Sequence, residues 1–281
     1  MATAVDFAKA GFTVIATMRD PEGSPKLGEI ASKSDLPIHI RTLDVNSGSS
    51  VIECFESVYE EFGSIDCLIN NAGIEKHGSV EEMPIEEFKQ VMDTNYFGVV
   101  RCVKEVMPHM RKAQSGCIIN VTSVAGRISN PPLGPYSASK FALEAISEHL
   151  AIEAKPFGIK VYVVQPGIID TPMARGISSA GESIYPYARR MAGLFEASLQ
   201  NPVSPDIVAE KMRWLVEEEP ETFRHPVGPD AEPYLGWRAS LSDEAWIDWL
   251  SADDDTWFDQ IQNNFGYDVR SILADRGGHP A

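Results

Sequence analysis

Two residues one helical turn apart, the ends of Tyr136-Ser-Ala-Ser-Lys140, are a pair that could move a proton. At i and i+4 of a helix they share a face. A free tyrosine titrates near pH 10, about three units too high for proton exchange at neutral pH. A lysine cation beside it stabilises the phenolate and lowers that value. Such a tyrosine can pass a proton to or from an alcohol oxygen. Ser123, thirteen residues earlier, ends an apolar stretch and offers a hydroxyl to hold a carbonyl oxygen. Tyr-x-x-x-Lys alone arises often by chance, and two surface residues at helical spacing is the competing reading.

The elements that must position these residues alternate along the chain. Strands are expected near 12–18, 37–43, 65–70, 117–122 and 160–165, each nearly continuously apolar, as buried parallel strands are. Between them lie helical stretches: residues 2–10, stopped by Gly11; 49–63, with a serine cap and a glycine stop; 84–114, bent near Pro108; and 137–158. Alternation at this spacing predicts a doubly wound α/β sheet of the Rossmann-like kind. Ligands bind such sheets at the carboxyl ends of the strands. There lie Asp44, Asn70-Asn71-Ala72-Gly73 and Pro166-Gly167, with Thr171 four residues on and Asn95 inside the long helix. A further helix over 204–220 and a short strand within 221–228 are expected, then a tail helix capped by Ser242 that puts Trp246 and Trp249 on one face. With no repeat and no linker, residues 1–281 read as one domain, with a segment over 171–202 that mixes aromatics with glycine and proline and a C-terminal extension over 229–281.

The formal net charge is −17, from 24 basic and 41 acidic residues. That argues against nucleic acid and anionic membrane as partners. No apolar run approaches a membrane span and no signal peptide opens the chain. Four scattered cysteines without a C-x-x-C pair suit a reducing compartment, so the expected location is cytoplasmic, with no metal site.

Taken jointly, NNAG, the asparagine of the long helix, Ser…Tyr-x-x-x-Lys and PGxxxT resemble a short-chain dehydrogenase/reductase, in that family's order and spacing over roughly residues 1–225. ATMRDP is similar to its retinol- and steroid-dehydrogenase branch. The resemblance implies hydride transfer between a nicotinamide and an alcohol or ketone. Tyr136 would be the general acid/base, and Lys140 would lower its pKa and bind the nicotinamide ribose. Ser123 would orient the substrate oxygen, and Asn95 would hold a relay water with Lys140. Asp44 would bind the adenine edge, and Asn71, Ala72 and Gly73 would lie under the adenosine ribose. Pro166, Gly167 and Thr171 would flank the nicotinamide. The resemblance also implies a homo-oligomer through the two long helices. Where the family carries an acidic residue favouring NAD, this chain has Met18 followed by Arg19. A guanidinium binds a phosphate in a planar fork, so NADP is expected over NAD, although a plain surface arginine is a competing reading. Ile177, Ile184, Tyr185, Tyr187, Met191, Leu194 and Phe195 suggest an apolar lid over an apolar small-molecule alcohol or ketone, with core packing the equal alternative.

The resemblance implies a strand and a T-G-x-x-x-G-x-G turn before the first helix. Neither is present, and no two glycines here are two residues apart. The expectations are an N-terminally truncated member, begun at an internal methionine, and a gap between the strands at 12–18 and 64–70. A catalytically impaired fold acting as a binding or regulatory subunit is the alternative function.

Overall fold

The computed structural model describes residues 1–178 and 183–275; residues 179–182 of the expected lid and 276–281 of the expected extension lie outside the described residues. Six strands form, all parallel: β1 (Val14–Met18), β2 (Ile38–Thr42), β3 (Cys67–Asn70), β4 (Gly116–Val121), β5 (Ile159–Pro166) and β6 (Arg224–Val227). They divide into a two-stranded sheet, β1-β2, and a four-stranded sheet, β3-β4-β5-β6. The five expected strands are present, and the last short strand joins the sheet beside β5.

The facing edges of β1 and β3 are not hydrogen-bonded to each other. Between them lies a cleft of about 1350 Å³, lined by Val14, Ile15 and Ala16 on one side and Cys67, Leu68 and Ile69 on the other. All four cysteines line it, and all are free thiols. The gap expected from the strand order is therefore a feature of the fold. The two sheets are tied across one face by α1 (Ala2–Lys9), whose Phe7 is buried in one cluster with Ile119 and Tyr162. Asp6 of the same helix accepts a 2.8 Å hydrogen bond from Arg213 of α9 (Asp206–Glu218). Gly11 ends α1 with φ +93°, a conformation that suits glycine and strains other residues. On the opposite face α3 (Gly48–Phe62) packs Val51 and Phe55 against Ile118 and Val161. The short α2 (Lys26–Lys33) completes the β1-β2 side.

The long helix expected over 84–114 is two helices, α4 (Ile85–Met92) and α5 (Gly98–Ala113), joined by a π turn at Asp93–Phe97. The interruption is at Asn95, and Pro108 sits within α5. A π turn widens the backbone ladder by one residue, and such turns gather at functional sites. α6 (Gly134–Ala154) opens three residues earlier than expected, which puts Tyr136 in its first turn.

The segment 171–202 is more ordered than a loop, holding α7 (Pro172–Ile177) and α8 (Tyr187–Leu199). Of the expected lid residues, Ile177, Met191 and Leu194 are buried in a core cluster. Ile184 is 73% exposed and Tyr185 is also exposed. The cluster is shared with the extension, which folds as α10 (Ala231–Ser240), α11 (Asp243–Leu250), α12 (Asp254–Phe265) and α13 (Val269–Asp275). Ser242 caps α11 as expected, accepting from the Ala245 amide at 3.1 Å, and Trp246 and Trp249 are both buried with ring centroids 5.0 Å apart. The buried Arg190 of α8 donates to Asp254 and to the Leu250 and Ala252 carbonyls, fastening α8 to the extension.

Candidate active site

Tyr136, Lys140 and Ser123 come together at the carboxyl end of the four-stranded sheet. Ser123 follows β4, donates to the Pro166 carbonyl at the end of β5 at 3.3 Å and accepts from the Ala125 amide, and its hydroxyl is near enough to the Tyr136 phenol to draw it down. Lys140 is buried, its Nζ 5.7 Å from the Tyr136 ring centroid. That amine donates to the Val121 carbonyl at 2.9 Å. Gly73 is close by: a Cβ there would lie 3.7 Å from Lys140 Nζ and 3.4 Å from Asn95 Oδ1. The NNAG glycine thus brings the backbone after β3 against the lysine and Asn95.

The electrostatics differ from the sequence expectation in one respect. Burial pushes the Tyr136 phenol up to about 12; the Ser123 hydrogen bond opposes this and the Glu75 carboxylate adds to it. Lys140 does not lower it. Burial also pushes Lys140 down to about 8, partly offset by Glu144 one turn along the helix. Desolvation of the charged forms outweighs the attraction between them. The tyrosine is therefore a neutral proton donor at neutral pH, and the lysine is mostly cationic there.

Asn95 has a different set of partners from the expected one. It is fully buried, its Oδ1 accepting from the Ile74 amide at 2.8 Å and its Nδ2 donating to the Ile74 carbonyl and Ser139 Oγ, each at 2.9 Å. Its side chain clamps the backbone after NNAG to α6. Asn70 donates to Asn120, Asn120 donates to Ser147, and Ser147 donates to the Leu143 carbonyl, a buried ladder from β3 to α6.

Glu144 is a residue that motif reasoning passed over. It is buried, accepting from Thr122 (2.7 Å), Gln165 (2.9 Å) and Arg224 (2.8 Å). Its spacing of four from Lys140 was the available signal. Gly126 meets this helix so closely that a Cβ would lie 2.9 Å from Glu144 Cγ. Asp230 was also missed. It is buried at the start of the extension, and its Oδ2 accepts from the Ile168 amide at 2.9 Å. Its Oδ1 stands 2.2 Å from where a Cβ on Gly167 would be, so only glycine fits there.

The remaining expected residues lie farther round the carboxyl ends. Asn71 and Ala72 are exposed and, with Met18, line the open end of the cleft. Arg19 follows β1, is exposed, and among the described residues makes no ion pair or side-chain hydrogen bond, while its neighbour Asp20 is turned to the Gly23 amide. Asp44 accepts from the Asn46 amide at 3.0 Å in a local turn. Thr171 caps α7 through the Ala174 amide at 3.2 Å. Among the described residues no cluster of histidine, cysteine or carboxylate side chains could hold a metal, and no helix is long and apolar enough to cross a membrane.

A fold of parallel strands with a Ser-Tyr-Lys constellation at their carboxyl ends defines a class. The short chain dehydrogenase family model matches residues 1–181, and the chain belongs to that family of oxidoreductases, whose members bind a nicotinamide dinucleotide and act on small molecules. It is 38% identical over 232 residues to a 3-ketodihydrosphingosine reductase of Bacteroides thetaiotaomicron, covering 81% of this chain and 82% of that one. It is 36% identical over 185 residues to an NADPH-dependent pterin aldehyde reductase of Arabidopsis thaliana, covering 66% and 76%. A short-chain dehydrogenase from Streptomyces avermitilis superposes with a TM-score of 0.75 at 30% identity, covering 88% of this chain and 90% of the other.

Proposed function

We propose that the protein is an NADP(H)-dependent oxidoreductase acting on an apolar alcohol or ketone, with Tyr136 as general acid/base. The observation that carries this reading is the partly buried, neutral Tyr136 beside Ser123, with the buried Lys140 amine a turn away. The nicotinamide supplies or accepts the hydride. Ser123 holds the substrate oxygen, and Tyr136 gives its phenolic proton to that oxygen as it becomes an alkoxide, or takes it back in the oxidative direction. The Lys140 cation stabilises the phenolate left behind until a proton from solvent restores the phenol, the lysine keeping its own proton throughout.

The residues present suit the cofactor. The unpaired Arg19 guanidinium at the end of β1 favours a 2′-phosphate, and NADPH dependence in the pterin aldehyde reductase relative agrees with it. Asn71, Ala72 and Gly73 offer backbone to the adenosine, while the Pro166–Thr171 turn, braced by Asp230, flanks the nicotinamide. A keto substrate is what the sphingosine reductase relative reduces by name, and exposed Val80, Ile184 and Tyr185 favour an apolar entrance. Phe141 (42% exposed) and Ile152 (69% exposed) lie on α6, with exposed Phe97 beside α5, which favours pairing of two copies through these helices; light scattering would test that.

Tyr136→Phe tests the reading. We expect turnover of a medium-chain ketone with NADPH to fall at least about a thousandfold, with NADPH affinity nearly unchanged. Turnover retained within about tenfold would refute the role of Tyr136 and favour the alternative of a binding or regulatory subunit.

A further inference from the structure

We propose that Glu75 and His77 form a second recognition point in the substrate site. They would take a hydrogen-bond donor, a hydroxyl or an amino group, that the substrate carries close to its reacting carbonyl. The inference rests on the reading of Tyr136 as the acid/base.

The segment 73–78 is fixed at both ends to the neighbourhood of Tyr136. At its start, Ile74 is clamped in both directions by Asn95, and Gly73 lies against Lys140. At its end, the Gly78 amide donates to the Pro132 carbonyl at 3.0 Å, and Gly78 pairs with Leu133, the residue at the head of α6 three positions before Tyr136. The three residues between these anchors are held over the first turn of the catalytic helix. Their side chains diverge. Lys76 turns outward toward Glu87, 3.7 Å away, and is 41% exposed. Glu75 turns inward, and its side chain is only 7% exposed.

A carboxylate so buried ordinarily has several donors, since it offers about four acceptor positions. Among the described residues Glu75 has one: His77 Nδ1, at 3.0 Å and 3.2 Å from its two oxygens. The His77 ring is 27% exposed, and among the described residues its Nε2 has no hydrogen bond. The pair thus keeps acceptor capacity on the carboxylate and an unengaged nitrogen on a partly exposed ring. Closeness to the reaction is supported by the carboxylate's effect on the Tyr136 phenol. Beside Ser123 and Lys140, Tyr136 packs with Val124 and Ile168 against the apolar cluster that contains Leu133. An acid–imidazole pair set in such a wall selects for a polar group on an otherwise apolar substrate, because a site built for a donor rejects the analogue that lacks it.

The test uses three ketones of equal length with NADPH: 2-dodecanone, 1-hydroxy-2-dodecanone and 1-amino-2-dodecanone. We expect kcat/KM for the hydroxy- or the amino-ketone to exceed that for 2-dodecanone by roughly ten- to a hundredfold, the size of one hydrogen bond to a charged group. Glu75→Gln, which keeps shape and removes charge, and His77→Ala are both expected to draw that ratio toward one. A ratio lost for the amine alone marks recognition of a cation, and a ratio lost for both marks recognition of a donor; either supports the inference. A wild-type ratio near one with Tyr136-dependent turnover overturns it and leaves the acid/base reading intact. So does a fall in all three rates in proportion, which is the signature of a purely structural Glu75. Absence of turnover with any of the three overturns both.

Discussion

The two halves of the molecule are held in different ways. Around β3–β6 and α6, buried polar side chains are tied to one another: Asn70, Asn120 and Ser147 in one ladder, and Thr122, Gln165, Arg224 and Glu144 in a second. Each bond fixes the next, so Tyr136, Lys140 and Ser123 have little freedom. Around β1-β2 the sheet has one partner strand per edge, a 1350 Å³ cleft on the other side, and α1 as its main bridge to the rest. The half that carries Tyr136 and Lys140 is over-determined and the half that carries Arg19 is not. Preorganisation is concentrated where the proposed proton transfer would need it.

The largest break in that contrast is expected from Glu144→Ala. It strips half-buried Arg224 of one of its two carboxylate partners, takes an acceptor from buried Thr122 and Gln165, and removes an opposing charge from Lys140. Leaving a buried donor without its acceptor costs about 1–3 kcal/mol and more than one is affected, so denaturant melts should shift strongly toward unfolding. A shift under about 1 kcal/mol would mean that the second ladder does not hold the catalytic half.

A sharper comparison uses two isoleucines that are neighbours in register, Ile69 on β3 and Ile119 on β4. Ile119 is fully buried and Ile69 lines the cleft. Ile119→Ala should cost about 2–5 kcal/mol, and Ile69→Ala only about 1 kcal/mol, because a side chain with empty space beside it has fewer contacts to lose. Equal costs in parallel urea titrations would show that the cleft is filled in solution.

On the cofactor side, Arg19→Ala should weaken NADPH binding by roughly ten- to a hundredfold, or about 1.5–3 kcal/mol, and leave NADH little changed. Fluorescence titration of both cofactors checks this, and equal losses would make Arg19 structural.

The smallest expected effect has the opposite sign for stability. Lys140 has a folded-state pKa lowered from 10.5 to about 8. The folded state therefore disfavours its charged form: the stability contribution is fully present above pH 10.5 and is lost as pH falls through 8. Lys140→Met, which carries no charge, should be more stable than the parent by about 1–2 kcal/mol at pH 7, with the advantage shrinking toward pH 10. The same variant should be inactive. A melting temperature at pH 7 no higher than the parent's would show that Lys140 is not held in a desolvated site.

Much of this architecture was legible beforehand, for reasons that are local. Apolar runs, serine caps and glycine stops mark strands and helices within a few residues, and the strand order implied the cleft. The Ser-Tyr-Lys set was readable because its members sit at helical and strand-end spacings. Other features were not readable, because they depend on pairs far apart in the chain. Pro108 looked like the bend in the long helix, yet the break is at Asn95, where a clamp on Ile74 and Ser139 favours the π turn over a regular one. The apolar residues of 171–202 could not be divided between lid and core until the extension folded over them and buried Ile177, Met191 and Leu194.

Sequence by itself determined which side chains could exchange a proton and along which elements they lie. Tertiary structure decided their state. It took Lys140 out of water and Tyr136 partly so, and desolvation, rather than the charge four residues away, sets the phenol at about 12 and the amine at about 8. It also brought the Glu75 carboxylate near enough to act on the phenol. Spacing along a helix is fixed by the chain, but the water a side chain loses depends on what the rest of the chain packs over it.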